Sequence, residues 1–260
     1  MLKKRKLIIC AVFLLCALSI AVFVRRQYVL PIVMYHSVQP SVPEGNRLIV
    51  SVDAFDRQMR FLKKNNYSVM PLAEAASMIA QKKKLPPKAI VLTFDDGNID
   101  NYQYAFPILK KYGLPATIFL VAGHIGKPDK LSMDQILQMQ DSGLISFGSH
   151  SINHPFLECI TSAPELVKEI SGSREILERL LGRPVVTFSY PCGRLNASVR
   201  QKVIDAGYSA AVVTNPGKSM ANDDVFALKR LRISENAANM FIFWFETTGY
   251  YNFIRENRHK

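Results

Sequence analysis

Short apolar runs alternate along the chain with segments in which apolar residues recur every three or four positions. The apolar runs predict strands and the other segments predict helices. Strands are predicted at residues 31–35, 89–94, 116–121, 145–149, 185–190 and 209–213. Helices are predicted between them at residues 51–65, 102–112, 132–142, 163–181 and 197–206. Strands and helices in regular alternation predict a parallel sheet covered by helices.

The predicted strands are almost continuously apolar, as residues 90–92 and 118–121 illustrate. Such strands are buried on both faces, a condition met by a closed barrel and by a doubly wound sheet alike. Polar motifs stand where apolar strands end, and barrels of parallel strands place their chemistry at the C-terminal strand ends. The placement of these motifs favours the barrel.

A separate apolar segment precedes this domain. Residues 7–24 are 18 uncharged, mostly aliphatic residues between a basic cluster at 3–6 and Arg25-Arg26. As a helix they would span about 27 Å, roughly the thickness of the hydrocarbon layer. A cleaved signal peptide is the alternative, but no small-x-small site precedes Arg25, and Cys16 lacks the preceding small residue of a lipoprotein site.

We therefore expect one uncleaved transmembrane helix. Four basic residues precede the apolar run and two follow it, so the positive-inside bias places the N-terminus in the cytoplasm. Residues 1–26 would then be a cytoplasmic stub and membrane anchor, and residues 27–260 an extracytoplasmic domain. The expected location is the cell membrane, with a single pass.

The net charge of +12 needs correction for this anchor. Residues 1–30 carry six basic and no acidic side chains, which leaves +6 for residues 31–260. The remaining excess is scattered and includes Lys82-Lys83-Lys84, a pattern typical of a solvated surface. An anionic cell wall or membrane is a compatible neighbour, and no motif supports a nucleic-acid partner. Outside the anchor only Cys159 and Cys192 are available to pair, so no disulfide framework is implied.

Candidate chemistry is concentrated in four segments at predicted strand ends. These are Tyr35-His36, Asp95-Asp96-Gly97, His150 to His154 followed by Pro155, and Tyr190-Pro191-Cys192-Gly193. Two carboxylates and three imidazoles can hold one divalent metal and still leave a general base and a general acid. The inventory therefore indicates metal-assisted hydrolysis.

Each motif also has a purely structural interpretation. Asp95-Asp96-Gly97 is a common turn sequence, and a single histidine such as His36 is more often a hydrogen-bonded structural residue. His150 and His154 are better evidence, because a spacing of four brings two imidazoles to one side of a helical turn. Pro155 disfavours a helix there, so the sequence predicts a single turn that closes a loop.

The turn at Tyr190-Pro191-Cys192-Gly193 has two interpretations as well. Proline and glycine are frequent in turns for conformational reasons. The functional alternative is a backbone N–H presented to a developing oxyanion or to substrate.

In this order, the motifs resemble those of the polysaccharide deacetylases with a NodB homology domain, carbohydrate esterase family 4. The resemblance covers roughly residues 31–235. It extends beyond the motifs, since residues 131–150 have the family's order of helix, glycine, strand and histidine, and residues 202–208 resemble its later helix and strand start. The resemblance implies a distorted (β/α) barrel and metal-dependent removal of N-acetyl groups from a glycan.

The resemblance also implies roles for single residues. Asp95 would be the general base, and Asp96, His150 and His154 the ligands of one divalent metal. Zinc is the expected ion, although this ligand set also suits cobalt, nickel or iron. The metal would lower the pKa of water and polarise the acetyl carbonyl, while Asp95 takes the proton.

Two departures from the family pattern affect the general acid and the partner of Asp95. Many members have an arginine before the turn, where this chain has Ser189 and Tyr190, and a late-strand histidine that this chain lacks. In the subgroup resembling poly-N-acetylglucosamine deacetylases, a Tyr-His pair on the first strand supplies the acid, and His36 fits that pattern. Arg230 or Arg232 would replace the missing arginine.

These observations predict an extracytoplasmic enzyme that deacetylates an N-acetylglucosamine polysaccharide. A non-catalytic glycan-binding relative is the alternative, because the turn has Cys192 where family members usually have Tyr or Phe. A nucleic-acid or anionic-lipid binder is a more distant third. Poly-N-acetylglucosamine, peptidoglycan and chitin-like oligomers all remain open as substrates.

The aromatic segment 239–251 is expected to pack on the barrel, with contact to the membrane as the alternative.

Overall fold

A computed structural model of the chain describes residues 12–20, 22–24, 28–214 and 223–251. Within these ranges the strands are β1 Ile32–Tyr35, β2 Ser37–Gln39, β3 Ile49–Ser51, β4 Ser68–Val69, β5 Ala89–Phe94, β6 Ala116–Leu120, β7 Ile145–Ser149, β8 Thr187–Ser189, β9 Ala210–Val213, β10 Leu228–Lys229 and β11 Leu231–Arg232. All six predicted strands are present, and their ends differ from the predicted ends by at most two residues.

The strands form a parallel sheet in the order β10-β9-β8-β7-β6-β5-β1-β11, and β4 pairs with the start of β5. The first and last strands of this order are separated along the chain by Arg230 alone. The sheet therefore curves into a nearly closed (β/α) barrel, which confirms the predicted barrel. A separate parallel pair, β2 with β3, lies outside it.

The α-helices between and after the strands are α1 Val52–Lys64, α2 Leu72–Ala80, α3 Phe106–Tyr112, α4 Met133–Asp141, α5 Ala163–Val167, α6 Ser173–Leu181, α7 Ala197–Asp205 and α8 Met240–Thr247. Local sequence explains their ends. Ser132 caps α4 in a capping box with Gln135, and Gly182 ends α6 in the left-handed conformation.

Alternate strand residues separate into two apolar clusters. The smaller one lines the barrel interior and includes Ile32, Val91, Phe119, Ala210, Val212 and Leu228. The larger one lies between strands and helices and includes their sequence neighbours Val33, Leu92, Ile118 and Ala211. Side chains alternate between the two faces of a strand, so every second residue faces the barrel interior. Toward the C-terminal ends of the strands, the interior-facing residues are His36, Asp95, His150, Ser189 and Arg230. The barrel thus collects polar side chains above an apolar floor.

Two features differ from the predicted elements. The single helix predicted at 163–181 is interrupted, because a π-helical segment, Lys168–Gly172, joins α5 to α6. Helices α2 and α8 and the short strands β2, β3, β4, β10 and β11 were not predicted. Segment 239–251 packs on the barrel as expected, with Phe243 of α8 fully buried.

The predicted anchor at 7–24 falls partly outside the described residues. Residues 12–20 and 22–24 are helical, and their side chains are exposed. Across the described ranges, the search for a helix with the length and apolar character of a membrane span finds none.

Candidate active site

The turn after β5 separates two consecutive carboxylates. Asp96 and Gly97 both have positive φ, 72° and 60°, so the chain turns sharply out of the strand. Glycine is favoured at the second position, because its φ lies in the left-handed region and a Cβ there would lie 2.7 Å from Cδ2 of Leu120. Asp95 is left facing inward and 1% exposed, whereas the Asp96 side chain is 28% exposed. Adjacent residues of one type therefore occupy different environments.

Asp96, His150 and His154 form a compact cluster at the C-terminal ends of β5 and β7. One potential ligand atom from each lies within 4.8 Å of the others. Oδ1 of Asp96 is 3.7 Å from Nε2 of His150 and 3.8 Å from Nε2 of His154. Two imidazoles and one carboxylate match the protein ligands of a catalytic divalent ion, so the donor set fits a metal. The predicted ligand residues are thus brought together.

A hydrogen bond fixes the orientation of His150. Its Nδ1 lies 2.7 Å from the carbonyl oxygen of Ser189. When Nδ1–H donates to this carbonyl, Nε2 carries no proton, and its lone pair is available to the cluster. Burial lowers the pKa of His150 to about 4, against the attraction of Asp95. The imidazole is therefore neutral near pH 7, the form in which histidine binds metals.

The segment from His150 to His154 is a loop and contains no helical turn, which corrects the geometry expected from the spacing of four. Ser151 and His154 both have positive φ, 64° and 60°, which a helical turn does not allow. Oγ of Ser151 accepts the N–H of His154 at 2.9 Å. The two rings still approach closely, with centroids 4.6 Å apart.

A buried carboxylate organises this loop. Glu169, in the π-helical segment, accepts the backbone N–H groups of Ile152 and Asn153, each at 3.0 Å, and the amide of Asn153 at 2.7 Å. It is 5% exposed. Charged acceptors make stronger hydrogen bonds than neutral ones, so Glu169 holds the loop that carries His154. The sequence contained no short-range signal for this contact.

Asp95 is paired with Arg230, which is fully buried. The guanidinium Nη1 and Nη2 donate to the two carboxylate oxygens at 2.7 and 2.6 Å. Burial alone would raise the pKa of Asp95, but the charge and hydrogen bonds of Arg230 outweigh it and hold that pKa well below its usual range. Asp95 is therefore ionised, with Oδ2 3.9 Å from Nε2 of His150. Of the two candidate arginines, Arg230 is the one that contacts Asp95, and Arg232 lines the cavity rim.

His36 follows β1 on the inward-facing series and lines the same cavity. Its carbonyl accepts the side-chain amides of Asn98 and Asn101, at 3.3 and 2.9 Å. Burial lowers its pKa, against the negative charges of Asp95 and Asp96. Its Nδ1 has no hydrogen-bond partner within the described part of the chain. The backbone of His36 is therefore fixed by the two asparagines, and its side chain lines the cavity with Nδ1 buried.

The turn after β8 differs from its predicted role at Tyr190. The ring of Tyr190 is buried, its hydroxyl donates to the carbonyl of Phe226 at 2.9 Å, and its N–H donates to the carbonyl of Val212 at 3.1 Å. Tyr190 is therefore a core residue with no N–H to offer, and Pro191 has none. Cys192 lines the cavity with φ of 57°, so it is the residue of this turn that faces the site. Cys159 and Cys192 are both free thiols.

These groups line one cavity of about 1000 Å³. The barrel contributes His36, Asp95, Asp96, His150, His154, Cys192 and Arg232. Other segments complete the walls with Arg47, Leu48, Ser234, Asn236, Ile242, Phe245, Glu246 and Tyr251. The residues of this second group were not predicted from the sequence.

A barrel that brings candidate metal ligands, an ionised buried carboxylate and a histidine into one cavity fits the framework of a hydrolase. The family model described as Polysaccharide deacetylase matches residues 82–211. The Bacillus subtilis protein YxkH is 37% identical over 205 residues, which are 79% of this chain and 71% of that protein. The chain belongs to the polysaccharide deacetylase family, whose members are metal-dependent hydrolases of amide bonds.

Other relatives agree with this assignment. Poly-beta-1,6-N-acetyl-D-glucosamine N-deacetylase of Staphylococcus aureus is 27% identical over 72% of this chain and 69% of its own length. The structure of the Streptococcus pyogenes deacetylase PplD in complex with acetate superposes with a TM-score of 0.76 at 33% identity. It covers 83% of this chain and 98% of that one. The resemblance stated from the sequence is therefore confirmed.

Proposed function

We propose that this protein removes N-acetyl groups from an N-acetylglucosamine polysaccharide with the help of one divalent metal ion. The observation that carries the proposal is the cavity in which Asp96, His150 and His154 lie beside the ionised Asp95. Each group required for amide hydrolysis has a candidate in that cavity.

Asp96, His150 and His154 would hold the ion, and zinc is the expected species, with cobalt, nickel and iron as alternatives. A divalent ion at this position supplies Lewis acidity, which lowers the pKa of water and polarises an acetyl carbonyl. Of the ligands, His150 is best suited to fix the geometry, because it is buried and oriented by Ser189.

The remaining residues divide the proton transfers between them. Asp95 takes a proton from the attacking water, and Arg230 keeps the carboxylate ionised and in place for that task. His36 then donates a proton to the departing amine, which is a poor leaving group without one. The N–H of Cys192 is the candidate donor to the developing oxyanion, because Tyr190 and Pro191 have none available.

Two relatives support the proposed substrate class. One is named for poly-beta-1,6-N-acetyl-D-glucosamine, and another was solved with acetate, the product of N-deacetylation. The test is acetate and free-amine release from poly-N-acetylglucosamine, peptidoglycan and chitin oligomers, with Asp95→Asn protein as control. We expect release from at least one glycan, strongest with poly-N-acetylglucosamine. Binding without acetate release from any of them would instead indicate a non-catalytic glycan-binding relative.

The proposed location is the outer face of the cell membrane, with residues 1–26 as stub and anchor. Its support is the uncharged run at 7–24, the basic residues before it, and the exposed apolar side chains at residues 12–15. Protease added to intact cells should digest the domain. Without protease, the full chain should be recovered in the membrane fraction. Full protection, or a secreted form that begins after Arg26, would contradict this location.

A further inference from the structure

The C-terminal segment forms one wall of the catalytic cavity. We call it the C-terminal wall: Ile242, Phe245, Glu246 and Tyr251. The rings of Phe245 and Tyr251 pack edge to face, with centroids 5.6 Å apart and planes at 89°. Both side chains are half-buried, and both line the cavity.

The barrel holds the C-terminal wall in a fixed position. Phe243 of α8 is fully buried and packs against Phe61 of α1 at 6.0 Å. After α8 the chain turns at Gly249, with φ of 82°, and its carbonyl accepts the N–H of Val29 at 2.8 Å. A Cβ at Gly249 would lie 2.4 Å from the ring of Tyr28, so the turn requires glycine. The two rings are therefore preorganised before any ligand binds.

The volume of the cavity leaves room beyond the reacting group. At about 1000 Å³ it lies at the upper end of the range, roughly 300–1000 Å³, of pockets that enclose a drug-sized ligand. An N-acetylated sugar at the metal ligands is smaller than such a ligand. A polymer substrate would place the adjoining sugar in the remaining space, beside the C-terminal wall.

We propose that Phe245 and Tyr251 form a subsite for a sugar ring next to the one that is deacetylated, and so select oligomers over single sugars. The inference rests on the proposed deacetylase function. It concerns the part of the polysaccharide that would bind away from the metal site. The apolar C–H face of a hexosamine ring is complementary to an aromatic ring, and Phe245 and Tyr251 place two such rings on one wall of the cavity.

The test compares chain lengths in the full-length, metal-loaded protein. The variants are Phe245→Ala, Tyr251→Ala and Phe245→Leu, the last of which keeps apolar volume but removes the aromatic face. Acetate release is measured with an N-acetylglucosamine hexamer and with the monosaccharide. For each variant we expect kcat/KM on the hexamer to fall about 3- to 10-fold, because that is the effect expected from the loss of one aromatic contact. The loss should come mainly from a higher KM, and the rate on the monosaccharide should be unchanged.

A matched control lies on the same helix. Phe241 and Trp244 form a second aromatic pair, 5.5 Å apart, but both are exposed and neither lines the cavity. Phe241→Ala and Trp244→Ala should leave the hexamer kinetics unchanged. Equal losses on the hexamer and the monosaccharide, or no loss on either, would overturn the subsite.

A binding measurement separates failure of the subsite from failure of the proposed function. Calorimetry with the hexamer is carried out on Asp95→Asn protein, with and without Phe245→Ala. Weaker hexamer binding in the double variant supports the subsite even if the parent releases no acetate. Equal affinity overturns the subsite even if acetate release by the parent establishes the deacetylase.

Discussion

Removal of the Arg230 side chain should reveal how strongly the buried ion pair supports both the fold and the base. In Arg230→Met the carboxylate of Asp95 stays buried but loses both short hydrogen bonds. Two unit charges about 4 Å apart interact by about 4 kcal/mol at an effective dielectric constant of about 20. Breaking a buried pair from one side typically costs about 3–5 kcal/mol. We expect the free energy of unfolding to fall by that amount at pH 7.

The pH dependence of this loss identifies its source. In the parent protein, folding lowers the pKa of Asp95. The ionised carboxylate therefore stabilises the folded state at pH values above the pKa that Asp95 has in the unfolded chain, and this stabilisation is lost as pH falls through the pKa in the folded state. In Arg230→Met burial dominates and raises that pKa above the unfolded value. The stability penalty should therefore shrink as pH falls from 7 toward 4, because the buried carboxyl becomes neutral.

Urea unfolding with a chelator present measures this effect without a contribution from metal binding. Arg200→Met is the matched control, because Arg200 makes a two-bonded contact with Asp224 at the surface, where such pairs contribute about 0–1 kcal/mol. Adding Asp95→Asn to Arg230→Met should restore most of the loss. A loss below about 1 kcal/mol for Arg230→Met, or one that does not change between pH 7 and 4, would refute this reasoning.

Three further predictions concern the proposed chemistry. Asp96→Ala and His154→Ala should lose bound metal in elemental analysis, whereas His124→Ala, outside the ligand cluster, should keep it; unchanged metal content in the first two would show the assignment to be wrong. His36→Ala should lower kcat by about 10²–10⁴ with metal retained, and a near-parental kcat would mean that another group protonates the amine. Asp95→Asn should lower kcat by a similar factor, since an amide cannot accept the proton, and retained activity would exclude it as the base.

Much of the barrel was predictable because its strands are buried on both faces and carry continuous apolar runs. The convergence of Asp96, His150 and His154 was predictable for a related reason, since parallel strands bring their C-terminal ends to one rim. The shape of the His150 to His154 loop was not. It depends on Glu169, a contact across the fold that no local spacing encodes.

The choice between Arg230 and Arg232 also needed the structure. Both residues belong to the same alternating series, so the sequence places both on the interior face. The pairing register sets their depth, because Met34 lies opposite Arg232 and Val33 opposite Leu231. Arg230 is therefore one step deeper and reaches Thr93 and Asp95, whereas Arg232 is exposed at the rim. Register between distant strands is set by packing of the whole barrel.

The central claim is tested most directly by acetate release from an N-acetylglucosamine hexamer before chelation, after chelation and after a divalent ion is restored. The account predicts release of acetate with an equal amount of free amine, loss of both in the chelated protein, and recovery with zinc or another divalent ion. Asp95→Asn protein should remain inactive at every stage, although it binds the ion. Undiminished release by fully chelated protein, or no release from the hexamer by the metal-loaded parent, would contradict the account.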